Sequence, residues 1–227
     1  MKTEKCYGVE AIAVDYYGTL VDVGQPFIKI KKWFEKTYEN YMDIVDNLFV
    51  VFSKERARLQ HGNEFLLGSV ILIRSYIKSC EKYKVPIYTD AFENFVNNLF
   101  VEPVAFPNAG QIISQLRKRY PVLLLTNADN GVLHKSISMQ KFEFDYILSS
   151  EDMRCYKPNK KCFKATCETL NVMPKSTLMI GDSLTEDVHG ALLFGMQALW
   201  LNNSNRQSNV YISQIQDIND IFSVVEI

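Results

Sequence analysis

Ala11-Ile12-Ala13-Val14-Asp15-Tyr16-Tyr17-Gly18-Thr19-Leu20 is the stretch whose reading decides the fold. Four apolar residues in a row, closed by an acid and a glycine turn, read as a short strand buried on both faces. A carboxylate at the mouth of such a strand is costly to place. At the exit it projects toward solvent at the carboxyl edge of a sheet, where open α/β folds bind ligands. There Asp15 fits a nucleophile or a metal ligand. Taken alone, it also fits a strand-end residue that caps the next turn.

Downstream the texture changes twice. From about residue 27 to 101, Phe27, Ile30, Trp33, Phe34, Tyr38 and Tyr41 recur three and four apart, and Val70, Ile71, Ile77, Phe92, Phe95, Val96 and Leu99 continue the pattern. No convincing strand interrupts this block. It predicts a helical bundle inserted after the first strand, over residues 22–103, whose aromatic residues form its core. Beyond Pro103, apolar runs at 122–125, 145–148, 177–180 and 197–201 alternate with helical segments, the last expected over 211–222. Five strands separated by helices imply an α/β fold with a doubly wound parallel sheet, built from residues 1–21 and 104–227.

Bulk properties narrow the function. The 227 residues carry 25 Lys and Arg against 26 Asp and Glu, a net charge of -1, so no basic excess points to nucleic acid. Cys6, Cys80, Cys155, Cys162 and Cys167 are odd in number and form no CxxC pair, which predicts reduced thiols and a cytoplasmic setting rather than a zinc site. The polar start Met-Lys-Thr-Glu-Lys and the interrupting Glu10 resemble neither a signal peptide nor a membrane span.

Three further polar groups follow strand or loop ends: Thr126-Asn127, Lys157-Pro158 and Gly181-Asp182-Ser183, with Glu186-Asp187 close behind. A parallel sheet gathers these ends at one edge. A carboxylate, a hydroxyl, an amide, an ammonium and an acidic cluster suit attack on a centre that carries or develops negative charge. In order and spacing, Asp15-x-Tyr17-Gly18-Thr19-Leu20, Thr126-Asn127, Lys157-Pro158 and Gly181-Asp182-Ser183-x-x-x-Asp187 resemble the four signature motifs of the haloacid dehalogenase-like hydrolases. The run from Ser149 through Glu151, Lys157 and Pro158 to Phe163 is similar as well.

The resemblance implies a Rossmann-like core with a helical cap inserted after the first motif. It implies Asp15 as nucleophile and Lys157 as its cationic partner, with Gly18, Tyr17, Thr126 and Asn127 around the transferred group. In the family's phosphatases it further implies Mg²⁺ held by Asp15, the Tyr17 carbonyl and Asp182, with Asp187 binding directly or through water. Glu186 is expected to be a solvated first-turn acid.

One position departs from that pattern. Family phosphatases usually carry a second Asp two residues after the nucleophile, as general acid and base, and here that residue is Tyr17. A phenol is a poor base at neutral pH. The first motif is instead similar to the L-2-haloacid dehalogenases, whose halide departs without a proton. Those enzymes use no metal, usually have a small polar residue where Asp182 stands, and hold the substrate carboxylate with an arginine early in the cap. Here Lys29, Lys31 and Lys32 occupy that stretch, and the first arginines are Arg56 and Arg58. Three readings follow: a Mg²⁺-dependent phosphohydrolase of small metabolites, which is preferred; a metal-free dehalogenase; and a weakly active metal- and phosphate-binding protein.

Overall fold

The computed structural model describes residues 6–208 and 212–225. Strand β1 (Ala11–Val14) lies at the centre of a six-stranded sheet. Its parallel neighbours are β4 (Val122–Thr126) and β6 (Thr177–Gly181). Outside them lie β5 (Tyr146–Ser149), β7 (Gln197–Leu201) and the short β8 (Gln214–Ile215), giving the order β5-β4-β1-β6-β7-β8, with every pairing parallel. The continuous apolar runs follow from burial on both faces. Ile12, Val14, Leu124 and Ile180 face one core, while Ala13, Leu123, Leu125 and Met179 face the other.

Chain order reverses beside β1. The chain builds outward through β4 and β5, then crosses back to β6 on the other side. The carboxyl ends of β1, β4 and β6 therefore adjoin at a topological switch point, the usual ligand crevice of open α/β sheets. Among the flanking helices, α5 (Ala109–Arg117) and α6 (Lys160–Leu170) press Ile112, Ile113, Leu116, Cys162 and Phe163 onto the sheet.

Between the first two core strands stand α1 (Pro26–Thr37), α2 (Met42–Gln60), α3 (Gly68–Tyr83) and α4 (Thr89–Val101). Pro26 opens α1, where its missing N–H costs nothing and its fixed φ suits the first turn. These helices share their own core, in which Phe34, Tyr38, Phe52, Tyr76 and Phe92 are almost completely buried. Tyr76 and Phe92 stack at 4.5 Å between centroids, and the Tyr38 hydroxyl is satisfied by Tyr76, Cys80 and the Pro86 carbonyl. The expected aromatic core holds for these rings but not for Phe27 and Tyr41, which stay 41 % and 37 % exposed. Where the chain leaves and re-enters the core, β2 (Val21–Asp22) and β3 (Val104–Ala105) pair antiparallel and tie the two linkers together.

The expected helix over 211–222 is not formed in the described part. Tyr211 lies outside the described residues. Gln214 and Ile215 extend the sheet as β8, and a 3-10 turn follows over Ile218–Ser223. The cause is the open edge of β7: the Trp200 N–H donates to the Ser213 carbonyl and the Asn202 N–H to that of Ile215. Satisfying an unpaired strand edge outweighs a weak helical periodicity. Asp217 then caps the 3-10 turn by accepting the Asn219 N–H. All five cysteines are free thiols, and among the described residues no helix is long and apolar enough to cross a membrane.

Because Phe92 fills the centre of the cap core, Phe92→Ala is expected to cost about 3–5 kcal/mol in a urea unfolding titration. A cost below about 1 kcal/mol, the range of surface substitutions, would contradict this packing.

Candidate active site

The Asp15 N–H still belongs to the sheet, donating to the Ile180 carbonyl at 2.9 Å, so the residue is held rigidly at the strand exit. The chain then turns sharply: the N–H groups of Leu20 and Val21 both reach the Tyr16 carbonyl. Gly18 has φ +91, a conformation side chains rarely adopt, and a Cβ there would come within 2.8 Å of the Asp182 carboxylate. Gly18 thus serves the turn and also leaves room for Asp182. Thr19 links the two acids, donating to Asp15 Oδ2 at 3.3 Å and accepting the Asp182 N–H at 3.0 Å.

Lys157 is almost completely buried and uses all three of its donors. Its Nζ reaches Asp15 Oδ1 at 2.7 Å, the Leu125 carbonyl at 2.9 Å and Asp187 Oδ1 at 2.5 Å. Burial alone would lower the lysine's pKa, but the Asp15 and Asp187 carboxylates hold it well above the usual range, so the ammonium is charged. Asp187 is carried inward by a π-helical turn, Leu184–His189, and its other oxygen accepts the Ser183 N–H at 3.0 Å. A Cβ on Gly181 would strike that carboxylate at 2.2 Å, so this glycine is also a requirement of the site. Burial pushes the Asp187 carboxyl upward, against the pull of Lys157.

Asp182 is the freer acid. Its side chain has only a 4.0 Å ion pair with Arg206 among the described residues, while its carbonyl accepts from Trp200 Nε1 and Arg206. Burial, reinforced by Asp15, pushes its pKa up to about 6. One carboxylate oxygen from each of Asp15, Asp182 and Asp187 lies within 4.8 Å of the others. Three carboxylates around one buried ammonium leave a deficit of positive charge. Hard oxygen donors, few in number and partly open, match what Mg²⁺ takes from protein. The residues present therefore fit such an ion. Both oxygens of Asp187 and both of Asp15 already accept hydrogen bonds, the longest of them the 3.3 Å contact from Thr19, which leaves Asp182 as the most available ligand.

The remaining sequence candidates divide. Thr126 ends β4 and is buried at the crevice. Asn127 is turned to the protein itself: Oδ1 accepts the Lys157 N–H at 2.8 Å, and Nδ2 donates to the Lys157 carbonyl and to Glu186 Oε2 at 3.1 Å. It anchors the loop that carries Lys157. Glu186 is not the solvated acid expected from its place in a first turn. The π-helical turn brings it to the pocket wall, and burial raises its carboxyl pKa. The Tyr17 hydroxyl donates to the Phe100 carbonyl in the cap at 2.9 Å rather than to any of the acids. Burial, with Tyr16 and Asp15 nearby, raises its pKa far above the phenol range.

Two more core side chains bind cap backbone. Asp129 accepts the Gly68 and Ser69 N–H groups at 2.7 and 2.8 Å, capping α3 from outside, and Tyr156 donates to the Leu66 carbonyl at 2.8 Å. Between cap and core they enclose a cavity of about 260 Å³ whose lining includes Tyr17, Phe27, Arg56, Asn127, Asp129 and Glu186. No local pattern points to Asp129 or Tyr156; their partners are backbone groups about 60 and 90 residues distant.

A family model for haloacid dehalogenase-like hydrolases matches residues 9–195. The chain belongs to that family, and is a hydrolase. It is 34 % identical over 99 residues to mouse N-acylneuraminate-9-phosphatase, a match covering 42 % of this chain and 40 % of that protein. It is 27 % identical over 201 residues to haloacetate dehalogenase H-2 of Moraxella sp. (strain B), covering 86 % of each. Among solved structures, the magnesium-bound HAD-hydrolase YfnB of Bacillus subtilis superposes with a TM-score of 0.76 at 19 % identity, covering 96 % of this chain and 99 % of that one, and so shares the fold.

Since the Tyr17 hydroxyl is committed to Phe100, Tyr17→Phe is expected to change the single-turnover hydrolysis rate by less than about threefold. A general acid or base at that position would forfeit about 10²–10⁴-fold. A fall of that size would assign the phenol to the chemistry.

Proposed function

We propose that this hydrolase is a Mg²⁺-dependent phosphohydrolase of small phosphorylated metabolites, acting through an aspartyl-phosphate on Asp15. The observation that carries the reading is the convergence of the Asp15, Asp182 and Asp187 carboxylates on a space 4.8 Å across, where among the described residues Lys157 is their one buried counter-charge and Arg206 adds a half-exposed one at 4.0 Å from Asp182. Asp182 beside Asp15 would repel an anionic substrate, and a shared divalent cation removes that repulsion. Asp15, Asp182, the Tyr17 carbonyl and Asp187, directly or through water, hold the ion. When bound it supplies positive charge to the phosphoryl oxygens.

Asp15 attacks phosphorus and the alcohol oxygen leaves with the bonding electrons. Lys157 keeps the attacking carboxylate oriented and spreads its charge. Thr126 and the Gly18 turn border the transferred group, and Asn127 acts by holding the Lys157 loop. Water then cleaves the aspartyl ester, releasing phosphate and restoring the carboxylate. With Tyr17 in place of an acid, turnover favours leaving groups that depart without full protonation.

That same feature favours a second reading, a dehalogenase forming an aspartyl ester at carbon. Halide needs no proton, and the Moraxella relative covers most of the chain. The readings separate in one assay pair. The phosphohydrolase releases phosphate from 4-nitrophenyl phosphate with Mg²⁺, and loses that activity with EDTA and in Asp15→Asn. Chloride release from L-2-chloropropionate that ignores EDTA would overturn it in favour of the dehalogenase.

A further inference from the structure

Cys155 and Cys162 are buried nucleophiles that the hydrolysis does not use. Their sulfurs lie 3.1 Å apart, and no other two cysteine sulfurs touch among the described residues. The Cys155 N–H donates to the Ser150 carbonyl at 3.2 Å. Cys162 stands in the first turn of α6, its N–H on the Asn159 carbonyl at 2.9 Å and its thiol 3.7 Å from the Cys155 carbonyl.

The segment between them carries the site's ammonium. Lys157 follows Cys155 by two residues, and its Nζ contacts with Asp15, Asp187 and the Leu125 carbonyl span 2.5 to 2.9 Å. Phe163 is fully buried and packs at Gly190, where a Cβ would meet its ring at 2.6 Å. This fixes the Cys162 end of the segment. A disulfide bond is about 2.05 Å long, so closing one draws the two sulfurs together by about 1 Å. With the Cys162 end fixed, the displacement falls on the Cys155 end, beside Lys157. An added ångström takes the ammonium's contacts past hydrogen-bond length.

Burial selects the oxidant. Cys155 is 8 % exposed and Cys162 fully buried, which favours a small neutral peroxide over a bulky disulfide. The Cys155 thiolate attacks one oxygen of hydrogen peroxide. The S–O bond forms, the O–O bond breaks, and hydroxide leaves and is protonated to water. Burial, with the contact to Cys155, raises the Cys162 pKa and keeps that group a thiol until the second step. The Cys162 sulfur then attacks the Cys155 sulfenic sulfur. The S–S bond forms, the S–O bond breaks, and the second hydroxide leaves as water with the Cys162 proton. Two electrons have passed from the thiols to the peroxide. A dithiol reverses the change by two exchange steps and becomes a disulfide itself.

We propose that Cys155 and Cys162 form a peroxide-sensitive switch, whose disulfide draws Lys157 away from Asp15 and stops hydrolysis until a dithiol reduces it. The switch goes beyond the phosphohydrolase reading, because Lys157 orients Asp15 whichever centre that carboxylate attacks.

The test treats the full chain with hydrogen peroxide, removes the excess with catalase and makes two measurements before and after dithiothreitol. One is a non-reducing tryptic mass map. The other is turnover, as phosphate release from 4-nitrophenyl phosphate with Mg²⁺ and chloride release from L-2-chloropropionate. Oxidised wild type is expected to show peptides 155–160 and 162–164 joined, with two hydrogens lost. Turnover is expected to fall roughly 10- to 100-fold, the cost of misplacing a catalytic group by about 1 Å, and to return with dithiothreitol. Cys155→Ser should match reduced wild type in turnover and show no reversible loss, with Cys155→Ala serving if serine disturbs the buried site. Absence of the joined peptides, joined peptides with undiminished turnover, a reversible loss that persists without Cys155, or a reduced protein idle in both assays would overturn the proposal. Chloride release instead of phosphate release, lost and restored in the same way, would sink the phosphohydrolase reading and leave the switch in place.

Discussion

The ammonium of Lys157, buried between Asp15 and Asp187, is the interaction on which the rest of the site depends. Three elements meet at it: the exit of β1, the loop after β5 and the turn after β6. None of the three could be buried with its charge alone, since an unpaired buried ion is prohibitively costly. Together they satisfy one another, and the backbone is shaped to allow it. Gly181 leaves space for Asp187, Gly18 leaves space for Asp182, and Asn127 holds the Lys157 peptide from both sides. The surplus negative charge is the property that makes the cluster a candidate cation site.

This geometry explains why the core was legible in sequence. Asp15, Thr126, Lys157, Asp182 and Asp187 each follow an apolar run or a loop signal, and a parallel sheet with a switch point beside β1 must bring such ends together. Both faces of each central strand are buried, so the runs carry no alternation to confuse the reading. The cap was legible for a similar reason, as helical spacing of aromatic residues over four helices.

What could not be read depends on contacts that local pattern does not encode. The Tyr17 hydroxyl meets a carbonyl 83 residues away, so the sequence showed a missing acid but not the cap contact that replaces it. Glu186 resembled a solvated helix acid because its burial arises from one π-helical turn, which periodicity cannot distinguish from an α-helical one. Arg56 was one of several cations on α2. Its neighbours Lys54 and Arg58 are exposed, and Arg58 pairs with Glu55, while Arg56 alone of the three lines the cavity. The C-terminal segment went astray because an open strand edge, a property of the assembled sheet, decided its structure.

The central claim is that Asp15 and Asp182 share a divalent cation, and magnesium titration calorimetry across pH addresses it most directly. Asp182 has a pKa near 6 without metal, so below that pH the ion must displace a proton. The account predicts saturable Mg²⁺ binding near neutrality. As pH falls through about 6, proton release should appear in buffers of differing ionisation heat, with affinity weakening by about tenfold per pH unit. Binding should be lost in Asp182→Asn. Absence of magnesium binding at pH 7, or equal binding by wild type and Asp182→Asn, would contradict it.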